Sequence, residues 1–96
     1  MAHEGRPGND PPARYRALLN LGILDMRRSD VAGGIAHFRA AGAAMPQEPE
    51  AAIYLARALA QSGRRDEADS TLRQAQLQGV DPNPLDAERK RLGLPQ

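Results

Sequence analysis

Residues 49–82 read PEAAIYLARALAQSGRRDEADSTLRQAQLQGVDP. Two helical runs flank one turn in this stretch. The first spans about Glu50 to Ser62 and stops at Gly63, a residue suited to the left-handed position after a helix end. Asp66 and Glu67 open the second run, where acidic side chains complement the positive end of the helix dipole. That run reaches about Gln78 and stops at Gly79. No segment alternates apolar and polar residues with a period of two, and Val, Ile, Thr and aromatic residues are scarce, so strands are not expected.

The stretch recurs. Shifting the chain by 34 residues lays Leu21-Gly22 on Leu55-Ala56, Leu18 on Ala52, Gly34 on Ala68, Phe38 on Leu72 and Ala41 on Ala75. A small residue thus returns at three places per copy, with an apolar one three or four residues away. Small residues at such points let packed helices approach closely. The earlier copy predicts a helix over Ala13–Arg28, a break and cap at Ser29-Asp30, and a second helix over Val31–Ala44. Met45-Pro46-Gln47-Glu48-Pro49 forms the turn into the quoted stretch. After Val80-Asp81-Pro82, Asn83 is expected to cap a short fifth helix that carries Pro84 in its first turn and ends at Gly93.

Composition fits close packing better than bulk. Of 96 residues 41% are apolar, but 17 are Ala, and Leu, Ile, Val and Phe supply only 17 more. So few large apolar side chains approach the level at which a chain stops folding alone. Net charge is only +1, so self-repulsion does not oppose collapse. With 13 basic and 12 acidic residues, general attraction to nucleic acid is not expected. No apolar run is long enough for membrane insertion. The absence of Cys removes disulfides and thiolate chemistry. Residues 1–12 lack the apolar core of a secretion signal, which favours the cytoplasm and leaves the periplasm open. Twelve of the basic residues are Arg, which points to a GC-rich bacterial coding sequence.

The 34-residue pattern resembles the tetratricopeptide repeat, a helix–turn–helix unit. The second copy is the better match, through Pro49-Glu50-Ala51, Leu55-Ala56, the turn Gln61 to Ala68, Leu72 and Ala75. The first copy keeps Leu21-Gly22, Phe38, Ala41 and the closing Pro46, with Asp25 in place of an aromatic and Gly34 in place of Ala. In the second copy the closing proline falls at Pro82. The implied fold is all-α: antiparallel helix–turn–helix repeats in four helices, a segment of an α-solenoid, closed by a short fifth helix. Residues 1–12 form an arm, 13–46 and 47–82 two repeats, and 83–96 the cap. On the fifth helix Leu85 and Leu92 share one face, leaving Asp86, Glu88, Arg89, Lys90 and Arg91 for water, as in the terminal helix of an array.

The resemblance implies binding of another protein or a peptide in the groove lined by the first helix of each pair. Carried over by position, that groove holds Leu19, Asn20, Ile23 and Met26 from one copy, and Ile53, Tyr54, Arg57 and Gln61 from the other. Arg16, Arg27, Glu50 and Ala60 flank them. A second argument is geometric. Leu18, Leu21 and Leu24 supply one buried stripe, Leu19, Ile23 and Met26 form a second, and a helix apolar on two faces needs two neighbours. The second stripe either meets a partner or packs on adjacent helices and the N-terminal arm. Leu19 and Ile23 stand where a carboxylate-gripping clamp would need polar residues. An amphipathic helix or extended segment therefore suits the surface better.

Other chemistry has little footing. Arg27, Arg28, Arg64 and Arg65 recur at turns, where they either complement helix C-termini or offer an anion patch. His37 has no metal-ligating residue at helical spacing, and His3 sits in the arm, so no metal and no cofactor is expected. No nucleophile with a base, and no glycine-rich phosphate loop after a strand, argues for an enzyme. Two repeats fall short of the three usually needed for a stable array. A homodimer, or a place within a longer array, is the alternative to a peptide-binding adaptor, chaperone or scaffold segment.

Overall fold

The computed structural model describes residues 10–95, so His3 and most of the N-terminal arm lie outside the described residues. Five helices follow one another: α1 (Pro11–Arg27), α2 (Val31–Ala44), α3 (Pro49–Gln61), α4 (Arg65–Leu77) and α5 (Pro82–Leu92). Only three or four residues separate each from the next, enough to reverse the chain and lay consecutive helices side by side. α1 packs on α2, α2 on α3 and α3 on α4, while α5 lies across α3 and α4.

Four of the five helices, all but α2, end by one rule. At the end of α3 the Arg64 N–H donates to the Leu59 carbonyl at 2.8 Å, with Gly63 between them at a φ of +80°. α4 and α5 close in the same way at Gly79 and Gly93. This turn satisfies carbonyls that the helix leaves unpaired and needs a residue with positive φ. α1 ends identically, with Asp30 N–H on the Asp25 carbonyl at 2.8 Å, yet its positive-φ residue is Ser29.

One helix start differs from expectation. Asp81, rather than Asn83, caps α5: its side chain accepts from the Asn83 N–H at 3.0 Å, and Pro82 takes the first helical position. Asp10 precedes α1 and makes no side-chain cap bond, and Pro11 and Pro12 fill the first two helical positions, where a missing N–H costs nothing. Asp30 does cap α2, through the Gly33 N–H.

Phe38, Leu59, Leu72 and Leu85 are the largest fully buried side chains, and they belong to one apolar cluster that runs from α2 to α5. A smaller cluster, Tyr15, Ala41 and Ala51, joins α1 to the start of α3. Glu88 and Arg89 on α5, expected in water, are 3% and 5% exposed. Each has found an opposite charge on another helix: Glu88 pairs with Arg57 of α3, and Arg89 with Asp69 of α4. Burial of such groups is tolerable only with a partner.

Candidate functional site

A hollow of about 410 Å³ opens between α1 and α3. Arg16, Leu19, Asn20 and Ile23 line it from α1, and Glu50 and Tyr54 from α3. Residues three and four apart share a helix face, so these six side chains converge. Tyr54 is held flat against Phe38, with ring centroids 5.4 Å apart and an 18° angle between planes. The Arg57 guanidinium covers the Tyr54 ring from 5.5 Å.

Tyr15 ties the two walls together. Its hydroxyl donates to Glu50 Oε1 at 2.9 Å and accepts from the Ala51 N–H at 3.3 Å. Ala51 is the third residue of α3, where backbone N–H groups have no intrahelical acceptor, and Glu48 supplies no side-chain cap. A phenol on α1 therefore does the work of a cap for α3. Burial first, then the hydrogen bond to Glu50 and its charge, push the Tyr15 hydroxyl above its ordinary pKa, which keeps it a donor.

A family model for the tetratricopeptide repeat matches residues 25–90, well over half of the chain. The chain belongs to the tetratricopeptide repeat family. Comparison with curated proteins and with solved structures gives no match. Tetratricopeptide repeats generally mediate contacts between proteins. None of the described helices is long and apolar enough to cross a membrane.

The hollow gathers four of the groove residues carried over from the repeat pattern: Leu19, Asn20, Ile23 and Tyr54. Met26 and Ile53, half-buried against the apolar cluster, do not line the hollow. Gln61 is exposed at the end of α3. Arg57 turns toward α5, where its Nε and one terminal nitrogen donate to the two carboxylate oxygens of Glu88 at 2.8 and 3.0 Å. The guanidinium of Arg57 is thus already paired within the repeat array. Tyr15 was not among the expected groove residues, although an aromatic one turn before Leu18 and Leu19 is a legible anchor.

The two stripes of α1 are reversed relative to expectation. Leu19, Ile23 and Met26 pack against the core, while Leu21 and Leu24 are 44% and 41% exposed. The buried-stripe reading took α1 to be covered on both sides, but among the described residues only α2 and the edge of α3 adjoin it.

His37 does have a carboxylate partner, though not at helical spacing. Its Nδ1 lies 2.5 Å from Asp25 Oδ2 on α1. This pair occupies the place of the aromatic that the repeat pattern would put at Asp25. Of the four turn arginines, Arg65 donates to the Leu92 and Gly93 carbonyls at 3.0 and 2.8 Å, closing the end of α5. Arg64 pairs with Glu67 across one turn, and its hydrogen bond holds the Glu67 carboxyl below its ordinary range.

A larger hollow, about 670 Å³, lies between α2 and α4 above Ala52 and Leu55 of α3. Nothing in the repeat pattern pointed to it. Small residues, Gly42, Ala43 and Ala75, make the space, and Arg39 and Glu67 approach to 3.7 Å across its rim. Its apolar side chains, Phe38 and Leu55, are buried core rather than accessible grip. The α1–α3 hollow is smaller but exposes the sides of Leu19, Ile23 and Tyr54, which is what an apolar anchor needs.

Proposed function

We propose that this chain is a protein-interaction module that seats a segment of another protein in the hollow between α1 and α3, as part of an adaptor, chaperone or scaffold. The observation that carries this reading is the convergence of half-buried Leu19, Ile23 and Tyr54 with exposed Asn20 around one opening. An amphipathic helix or extended strand places an apolar side chain on that floor, and Asn20 offers both a donor and an acceptor to its backbone. Arg16 and Glu50 stand at the rim and set the charge order along the segment. Arg57, bound to Glu88, contributes by holding Tyr54 in place.

Asn20→Trp tests this reading, because it fills the opening from an exposed position and leaves the core intact. A partner captured from native extract by the unaltered protein is expected to be lost by the variant, at unchanged helicity. Amide shifts on adding the captured partner should centre on Leu19, Asn20, Ile23 and Tyr54. Shifts centred on Gly42, Ser70 and Gln74 would transfer the site to the α2–α4 hollow and sink the proposal.

A further inference from the structure

α1 and α3 occupy equivalent places in the two copies, and the structure treats their matching faces oppositely. On α3, Ala51, Leu55 and Ala58 are buried, with Ala51 seated beside Gly42 of α2. Shifted back by 34 residues, these become Ala17, Leu21 and Leu24. No described helix covers them, and all three are exposed. Among the described residues, the edge that α2 covers on α3 is uncovered on α1.

We propose that two copies of this chain associate through this edge, with α1 antiparallel to the partner copy's α1. The opposite end of the molecule cannot supply the cover. There α5 leaves Asp86, Lys90 and Arg91 exposed, and Leu77 of α4, though 81% exposed, stands among exposed Ser70, Arg73 and Gln74 rather than in an apolar stripe. An apolar edge whose only match is itself makes a closed, two-fold pair.

Charge fixes the direction. Asp10, Ala17, Leu21, Leu24 and Arg28 fall within one stripe of α1, given 3.6 residues per turn. Asp10 and Arg28 are exposed at opposite ends of that stripe, and neither enters an ion pair among the described residues. Laid antiparallel with Ala17 against the partner's Leu21, the helices bring Asp10 to the partner's Arg28 twice over. Laid parallel, they would set Asp10 against Asp10 and Arg28 against Arg28. One helix edge buries well under the roughly 1,200 Å² of a stable specific interface, so the pair is weak, with a dissociation constant on the order of 100 µM.

This inference is independent of the α1–α3 hollow, which lies on another face of α1. Sedimentation equilibrium of the full chain, from micromolar to millimolar, reads it directly. Dimer is expected to grow with concentration and to vanish in Leu21→Glu, with helicity kept. Asp10→Arg should weaken association about tenfold, and adding Arg28→Asp to the same chain should restore it, because both charges are then exchanged. A monomer throughout the range overturns the proposal. So does association that survives Leu21→Glu, or that is lost in Asn20→Trp but not in Leu21→Glu. Failure of the Asp10→Arg and Arg28→Asp double variant to restore association refutes the antiparallel arrangement.

Discussion

Where α1 packs against α2, Gly22 meets the ring of Phe38; 34 residues later the same two positions hold Ala56 and Leu72. All four are buried. The two helix pairs thus solve one packing problem in two ways, trading a methyl on one helix for a larger side chain on the other. A Cβ added at Gly22 would lie 2.4 to 2.9 Å from three ring atoms of Phe38. The ring cannot swing aside, because it is stacked on Tyr54. Gly22→Ala is therefore expected to destabilise by about 1–3 kcal/mol, as overpacked cores do. Adding Phe38→Leu recreates the pairing of the second copy, so the double variant should unfold at higher denaturant than Gly22→Ala alone. Independent, additive losses in urea unfolding would show that the two copies are not interchangeable at this point.

The turns give a second, smaller contrast. Gly63 and Ser29 occupy matching places after α3 and α1, with φ of +80° and +64°. A side chain in the left-handed region costs roughly 1–2 kcal/mol, which glycine avoids. Glycine also adds freedom to the unfolded chain, so the net gain from Ser29→Gly is about 0.5–1 kcal/mol. Thermal unfolding checks it, and a lower melting temperature would mean that the Ser29 hydroxyl supports the turn in a way its backbone geometry does not require.

These contrasts also mark what the sequence can and cannot convey. Helix α2 stands at Val31–Ala44, where periodicity and the Asp30 cap place it, because both signals are local. The close approach at Gly22 was legible in the recurrence of small residues. The fate of Leu21 and Leu24 was not, since periodicity identifies an apolar face without saying whether another helix covers it. Glu88 and Arg89 read as a solvated run because their partners, Arg57 and Asp69, lie 31 and 20 residues away on other helices. The groove was legible by analogy at Leu19, Asn20, Ile23 and Tyr54. It failed at Arg57 for the same reason: a side chain reads as available until the helix that claims it is in place.

The last matching pair is Ile35 and Asp69, on α2 and α4. Ile35 is buried in the apolar cluster that binds α2 to α3. Asp69 bonds Arg73 on its own helix and Arg89 on α5. The interior junction is thus apolar, whereas the terminal one also uses ion pairs, with Arg57 and Glu88 as its second. Burial opposes ionisation of Asp69, but the hydrogen bonds from Arg73 and Arg89, with their charges, outweigh it and hold the carboxyl below its ordinary range. A depressed folded pKa means that the contribution is complete above the unfolded value, about 3.9 for Asp, and is lost as pH falls through the folded value. Acid should therefore loosen α5 ahead of the α2–α3 junction, visible as earlier amide exchange at Leu85 and Glu88 than at Leu55 and Leu59. Asp69→Asn should be less stable than the unaltered protein at neutral pH. The gap should begin to close as pH falls below about 3.9 and vanish only beneath the depressed folded value, where Asp69 itself is protonated. A gap that stays constant down to acid pH would assign Asp69 to hydrogen bonding alone and erase the distinction between the two junctions.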